Sequence, residues 1–374
     1  MKKKVLFVAS IDKHISRFHI PSLKWFSERG FEVHVACNGF AELPYCDKVH
    51  QIDFVRSPYS IRHFQVINQL KKLFESEKFY LVHCHTTVAS LLTRMACIAF
   101  RKKDGLKVLH TSHGFHFFKG GPLLNWLIFY PIEKMASRFQ DCLITINTED
   151  YNLACQKFYC KDVRLIPGMG VNNERFMTFG NEEKLNERKL WNIDPDAKVI
   201  NYVAEFIKRK NHRFIIESAK ELKAKIPELI FILPGRGKLL NEMKALAEKL
   251  DVISYIWFPG FINNVESLMA CSNLGVSSSK QEGLGLHIVE AMMSGLPVIA
   301  TDNSGHRELI QHGENGFLYE VNNKKSFEEF VVKIFSDPYL YKKMSNAAFK
   351  QAQRFEMNLS NSKLDEIYSD YIKD

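Results

Sequence analysis

Short, wholly apolar runs alternate along the chain with longer amphipathic ones. Residues 5–9 (VLFVA) form the first such run, bounded by lysines and a polar stretch. A run of that length and purity suits a strand buried on both faces of a parallel sheet. A polar loop follows. The pattern then predicts an amphipathic helix over 19–29, capped by Gly30, and a second strand over 31–35. Residues 81–83, 108–110 and 142–146 read as further strands, with a helix over 89–100. The second half repeats the design, with strands at 199–203, 229–233, 274–276 and 297–300 and helices at 212–224 and 288–293. Alternating strands and helices predict parallel α/β sheets. Two separate series imply two sheets and a cleft between them.

Pro167, Gly168 and Gly170 punctuate residues 166–172 and set the boundary there. The first domain is expected over 1–167 and the second over 168–355. The lysine- and glutamate-rich stretch 181–189 reads as a solvated segment. Residues 359–372 are amphipathic, and a C-terminal helix over about 356–374 is expected to return to the first domain.

A length of 374 residues agrees with two domains. Apolar residues make up 46% and charged residues 25%, which excludes disordered and fibrous classes. The net charge of +9 suits an anionic partner: nucleic acid, a phosphate-rich ligand or an acidic membrane surface. It equally suits a surface with surplus lysines. The 8 cysteines form no Cys-x-x-Cys pair, which fits reduced thiols in a cytosol. His83, Cys84 and His85 look like a metal trio, but alternate strand residues point to opposite faces, so the three cannot converge. The apolar run after Lys2–Lys4 falls short of the ~7–15 residues of an export signal. No uncharged apolar stretch approaches the ~18 residues of a spanning helix; residues 81–100 come nearest and contain Arg94. A cytoplasmic protein is expected.

The densest chemical signal runs from Ser277 to Gly316. A strand ends near Ser278, and a glycine-bearing loop leads into a helix. Gly283 and Gly285 let a ligand approach the backbone, and the helix N-terminus offers unpaired N–H groups to an anion. That combination suits a diphosphate. Glu282 in the loop and Glu290 in the helix can each accept hydrogen bonds from vicinal hydroxyls of a sugar or ribose. Taken singly, they are a loop glutamate and a solvated helical one.

Glu282-Gly-Leu-Gly285, followed by Glu290-Ala-Met-Met-Ser-Gly-Leu-Pro-Val-Ile-Ala300, resembles the signature of the family 4 retaining glycosyltransferases of GT-B fold. The likeness extends through 301–308, 313–318, Cys84-His85-Thr86 and 111–117, and so along essentially the whole chain. It is closest to the exopolysaccharide and capsule branch. It implies two Rossmann-like domains facing across a cleft, with the donor in the second. Glu290 would hold the ribose and Glu282 the donor sugar. The amides of Gly283, Leu284, Gly285 and Leu286 would cradle the diphosphate. Lys210 matches the lysine that neutralises the leaving group, and His113 a histidine near the reacting sugar. Gly168 and Gly170 match interdomain glycines, and His85, His116 and Lys119 would face the acceptor.

Two departures stand out. Ala204 and Glu205 occupy the place of the family's Gly-Arg, which leaves Arg209 to supply the missing charge. The first loop (Ala9, Ser10, Ile11, Asp12) lacks the usual double glycine. Asp194-Pro195-Asp196 mimics a metal-binding Asp-x-Asp, but aspartates flanking a proline before a strand serve turns. No cofactor or metal is expected, since Lys210 and a helix N-terminus can stabilise a diphosphate. The resemblance implies retaining transfer of a hexose or N-acetylhexosamine, with UDP favoured, to a lipid-linked glycan. The aromatic stretch 115–130 and the basic Lys71, Lys72, Arg101, Lys102, Lys103 and Lys107 suggest peripheral contact with an anionic membrane; a core helix explains the aromatics equally well. A nucleotide-sugar epimerase and a non-catalytic sensor share the architecture. No nucleic-acid module is present, and no Gly-x-Gly-x-x-Gly follows the first strand.

Overall fold

A computed structural model describes residues 2–39, 41–55 and 60–373. The chain forms two compact units: Met1–Met169 with Asn358–Asp374, and Gly170–Met357.

The first unit runs β1 (Lys4–Ile11), α1 (Asp12–Phe18), α2 (Ile20–Glu28), β2 (Glu32–Asn38), β3 (Lys48–Gln51), α3 (His63–Glu77), β4 (Leu81–His85), α4 (Thr87–Asp104), β5 (Lys107–Ser112), α5 (Leu123–Ala136), β6 (Cys142–Thr145), α6 (Thr148–Lys157) and β7 (Asp162–Leu165). Its 7-stranded sheet has the order β3-β2-β1-β4-β5-β6-β7. Every pairing in it is parallel. Val5 to Ala9 are fully buried, as a strand covered on both faces must be. The helix expected over 19–29 is α2, and a further helix, α1, precedes it with His19 between the two. The stretch expected to be a loop is therefore α1, whose only buried side chain is Ile15. One buried position gives no period to read.

The second unit runs α7 (Asn181–Leu190), β8 (Lys198–Asn201), α8 (His212–Lys225), β9 (Leu229–Ile232), α9 (Leu240–Lys249), β10 (Ile256–Trp257), α10 (Val265–Cys271), β11 (Leu274–Ser277), α11 (Leu286–Met293), β12 (Val298–Thr301), α12 (Ser304–Leu309), β13 (Gly316–Tyr319), α13 (Lys324–Ser336) and α14 (Pro338–Ala352). Its 6-stranded parallel sheet has the order β10-β9-β8-β11-β12-β13. The solvated stretch 181–189 is helix α7. Glu183 accepts from the Gly180 N–H at its start (2.8 Å), and Arg188 is buried against the carbonyls of Cys271 (3.2 Å) and Pro195 (2.6 Å).

Both sheets reverse direction of growth once, between β1 and β4 and between β8 and β11. Ligands of such sheets bind outside the carboxyl ends of the strands at that reversal. The final helix (Met357–Ile372) packs on the first unit. Tyr368 hydrogen-bonds His83 (2.8 Å) and Ser22 (3.2 Å), and the Tyr371 hydroxyl donates to Asp162 (2.7 Å). No helix among the described residues is long and apolar enough to cross a membrane.

Candidate active site

In the second unit the chain leaves β8 and makes one 3-10 turn at Lys208–Lys210. That turn is fastened to the exit of β11. The Lys280 N–H donates to the Arg209 carbonyl (2.8 Å), and the Ser278 hydroxyl reaches the carbonyls of Lys210 (3.0 Å) and Asn211 (2.9 Å). The Tyr202 hydroxyl also donates to Lys210 (2.7 Å). Asn211 takes the left-handed conformation (φ 55°) and starts α8.

This framework brings Lys210, Arg209 and Glu282 together. The Lys210 ammonium donates to one carboxylate oxygen of Glu282. Arg209 Nη1 donates to the other at 3.1 Å and to the Gln281 carbonyl at 2.5 Å. Burial opposes the charge on Glu282, but Lys210 and Arg209 overcome it and hold the carboxyl well below the usual carboxylate range. The Arg209 guanidinium is half exposed, while Lys210 is largely covered. Two cations and one anion leave a net positive charge where β8 and β11 end.

Gly285 caps α11 in the left-handed region (φ 96°), and a Cβ there would lie 3.2 Å from His306. Leu286 and His287 open the helix, so their amides precede the first bonds of its ladder, which the Ile288 and Val289 N–H groups make to the Gly285 carbonyl (2.9 and 3.3 Å). The loop before it is held by α12. The Gly305 N–H donates to the Glu282 carbonyl (3.1 Å), and a Cβ on Gly305 would meet that oxygen at 2.6 Å. His306 is buried beside Glu282, and its Nε2 has no hydrogen-bond partner among the described residues. Glu290 lies partly exposed on α11. Arg175, bonded to Glu266 (2.9 Å), is also close enough to feel the Glu290 charge. Glu205 points to solvent, and Arg209 stands beside Lys210 instead.

Gly168 and Gly170 both have positive φ (70° and 73°). Gly170 has a packing reason as well, since a Cβ would lie 2.3 Å from Met357 Cα where Val171 pairs with Glu356. Asp194 accepts from the Asp196 N–H at 2.8 Å, which makes the Asp-x-Asp a turn.

In the first unit His85 ends β4, opposite Thr111, and His113 follows β5. Their rings lie 5.7 Å apart. His14 of α1 and His19 join them, with nitrogens of all four rings within 4.8 Å of one another. Thr86, next in the chain, has φ 62° and ψ 140°, a strained conformation for a β-branched residue. Ser10 holds it, donating its N–H to Thr86 Oγ1 at 3.1 Å. His83 and His85 share a face, and Cys84 points to the opposite core, as strand alternation requires. His116 is not among them; it packs on Phe129 of α5. Lys119 is exposed, and its N–H donates to Glu149 (2.7 Å).

His14, His19 and Arg175 do not stand out in the sequence; they come from separate stretches, and no spacing links them to the glycine-rich string. His306 lies within the stretch that extends the likeness, but nothing there marks it as a neighbour of Glu282.

The stretch 115–130 divides by face. Phe115, Phe117 and Phe118 are buried, and Trp126, Phe129 and Tyr130 pack against them. Leu123, Leu124 and Leu127 of α5 are 73%, 64% and 67% exposed. Lys71, Lys72, Lys102, Lys103 and Lys107 are exposed too, and Arg101 is partly so.

Residues 183–351 match the family model "Glycosyl transferases group 1", and residues 4–147 match "Glycosyl transferase 4-like". EpsD of Bacillus subtilis (strain 168), a protein that carries the name of a glycosyltransferase, is 41% identical over 374 residues, covering 100% of this chain and 98% of its own. The UDP-Gal:alpha-D-GlcNAc-diphosphoundecaprenol alpha-1,3-galactosyltransferase of Escherichia coli is 26% identical over 370 residues, 96% of this chain and 94% of its own. In fold, the chain is similar to sucrose-phosphate synthase from Thermosynechococcus elongatus (TM-score 0.79, 16% identity, 99% of each chain). It is also similar to HepE of Anabaena in complex with UDP and glucose (TM-score 0.78, 18% identity, 98% and 100%). A 4-like and a group 1 domain on two Rossmann-like sheets, with a full-length relative at that identity, make this chain a member of the GT-B glycosyltransferases.

Proposed function

We propose that the chain transfers a hexose or N-acetylhexosamine, with retention, from a UDP-sugar to a lipid-linked glycan in bacterial surface polysaccharide synthesis. The observation that carries the donor half is the Lys210–Arg209–Glu282 group at the carboxyl ends of β8 and β11, beside the start of α11. Cations beside a helix N-terminus suit a diphosphate. The acceptor class rests on relatives. The Escherichia coli protein is named for UDP-Gal and a diphosphoundecaprenol-linked sugar, and the Staphylococcus aureus relative CapM, 23% identical over 394 residues, for capsular polysaccharide biosynthesis.

In this reading Lys210, Arg209 and the amides of Gly283, Leu284, Gly285 and Leu286 hold the diphosphate, with no metal beside it. Glu290 takes the ribose diol. When the donor binds, the two cations turn toward phosphate, and Glu282 is released to the sugar hydroxyls. The bond from the anomeric carbon to the phosphate oxygen breaks as that carbon gains oxocarbenium character. The acceptor hydroxyl bonds to it from the same face, and its proton passes to the departing phosphate oxygen. The retaining course follows from the family resemblance. Acceptor recognition is assigned to the first unit, to His85 at the end of β4 and to His113, His116 and Lys119 after β5. The exposed leucines of α5 and the basic residues of the first unit would rest on an anionic membrane.

A thermal-shift series with nucleoside diphosphates and their sugars tests the donor site. UDP should raise the melting temperature in proportion to occupancy, with or without EDTA, and Glu290→Ala should remove the shift. A folded protein that no nucleotide stabilises overturns the reading. Donor incubated alone should stay unchanged; its conversion to another sugar nucleotide would identify an epimerase.

A further inference from the structure

We propose that His306 determines which sugar the donor site takes: its Nε2 and the Glu282 carboxylate each accept a hydrogen bond from a hydroxyl of the donor sugar, and so select a sugar in which both hydroxyls are free. The proposal rests on the donor reading above and adds to it the residue that tells one sugar from another.

The His306 ring is fixed in one orientation. It is fully buried in α12, which is fastened beneath the loop between β11 and α11. Asn303 caps that helix. Its Oδ1 accepts from the His306 N–H (3.2 Å), and its Nδ2 donates to the Ser279 carbonyl (3.0 Å), as the Thr301 hydroxyl also does. The Gly305 N–H (3.1 Å) and the Ser304 hydroxyl (3.4 Å) donate to the Glu282 carbonyl. α12 is thus tied to the loop at residues 279 and 282.

That orientation settles which nitrogen carries the proton. His306 Nδ1 lies 2.7 Å from the Thr301 carbonyl oxygen. A carbonyl has no hydrogen to give, so Nδ1 is the donor. Asn303 Nδ2, 2.9 Å from the same nitrogen, keeps its hydrogens for Ser279 and for the Thr301 hydroxyl (3.3 Å). Burial holds the ring neutral, so Nε2 bears a lone pair. It is buried and has no partner among the described residues. The edge that carries it faces Gly285: a Cβ there would lie 3.2 Å from Cδ2 and 3.4 Å from Nε2. An acceptor is therefore aimed at the glycine-bearing loop, beside Glu282, and lacks a donor.

A carboxylate and a bare imidazole nitrogen accept hydrogen bonds and cannot give them. Side by side they match two O–H groups. A sugar that lacks either hydroxyl, or carries an ether or fluorine in its place, leaves a buried acceptor unpaired, and sites of that kind reject such analogues strongly. Both acceptors are covered without donor. Lys210 and Arg209 lie on the carboxylate, and the Gly285 backbone lies on Nε2. They open when the diphosphate draws the cations and the loop toward itself, so the sugar is read only after the nucleotide has bound.

The test uses the full chain and measures affinity for UDP, UDP-glucose, UDP-galactose, UDP-N-acetylglucosamine and UDP-N-acetylgalactosamine. The sugar nucleotide that wild type binds most tightly is the reference. His306→Asn keeps an N–H for the Thr301 carbonyl but has no acceptor at the Nε2 position. It should bind UDP as wild type does and the reference at least about fivefold more weakly. His306→Gln, which places an amide oxygen near that position, should keep more of the preference. Among monodeoxy analogues of the reference, one should bind wild type at least about fivefold more weakly than its parent, yet bind His306→Asn as well as the parent does, because the partner of that hydroxyl is already gone. Equal losses for UDP and the reference in the folded variants would make His306 purely structural. Losses that add for every analogue would set some other group against the sugar. Either result overturns the proposal. A wild-type chain that does not bind UDP overturns the donor reading first, and this one with it.

Discussion

Lys210 and Glu282 neutralise each other, so removing either exposes the other's charge. Lys210→Ala should lower turnover by at least about a hundredfold, the usual cost of removing one donor aimed at developing negative charge. The melting temperature should fall as well, because Glu282 is then left buried with Arg209 as its remaining cation, while the backbone of residue 210 stays held by Tyr202 and Ser278. Near-normal turnover would remove Lys210 from the mechanism. Gly285→Ala tests the cap of α11. Its left-handed φ of 96° costs a non-glycine residue about 1–2 kcal/mol, and the new Cβ presses on His306. Reduced stability with weaker UDP binding is expected, and an unchanged nucleotide affinity would show that the amides there do not hold it. Glu282, Gly285 and Glu290 were readable because one continuous string carries them. His306 was not, because its closeness to Glu282 exists only after α12 has folded onto the loop.

At the scale of elements, α5 separates two surfaces that its sequence mixes. The aromatics face the core, and Leu123, Leu124 and Leu127 face outward. Replacing those three with serine should weaken binding to anionic vesicles while leaving the fold intact, and reversing Lys102, Lys103 and Lys107 should do the same. Vesicle binding at the wild-type level in both variants would rule this face out. The inner end of the helix is tied by Arg94, which is fully buried and pairs with both oxygens of Glu133 (2.8 and 3.0 Å) and with Gln140 (2.9 Å). Arg94→Ala leaves Glu133 buried without its cation and should cost about 3–5 kcal/mol in denaturant unfolding; a loss below about 1 kcal/mol would mean that water replaces the pair. Arg94 was visible in the sequence as the charge that interrupts an apolar stretch. Its partner, some forty residues on, was not.

For the whole molecule, pH should act through buried histidines. His212, His287 and His306 of the second unit are held neutral by burial and then by Lys210, to about 3, 3 and 4; Glu282 partly offsets this for His287 and His306, as Asp302 does for His306. Unfolded, each takes a proton near pH 6.5. Between that value and about pH 4 the unfolded chain therefore binds more protons, and stability falls as pH falls, by up to about 1.4 kcal/mol per pH unit for each histidine. Melting temperature measured from pH 7 to 4 should decline throughout; a flat profile would mean that these rings are charged or exposed.

The sequence by itself determined the alternation of elements, because apolar runs of strand length and amphipathic runs of helix length obey local periodicities. It also determined the family, through one glycine- and glutamate-bearing string. Tertiary structure decided the rest. It made a helix of the polar stretch 12–18, whose single buried residue leaves no pattern. It set the last helix on the first unit through Tyr368 and Tyr371. It also gathered four histidines from four chain segments at the reversal of one sheet, which no sequence spacing encodes, because strand order alone brings those segments together.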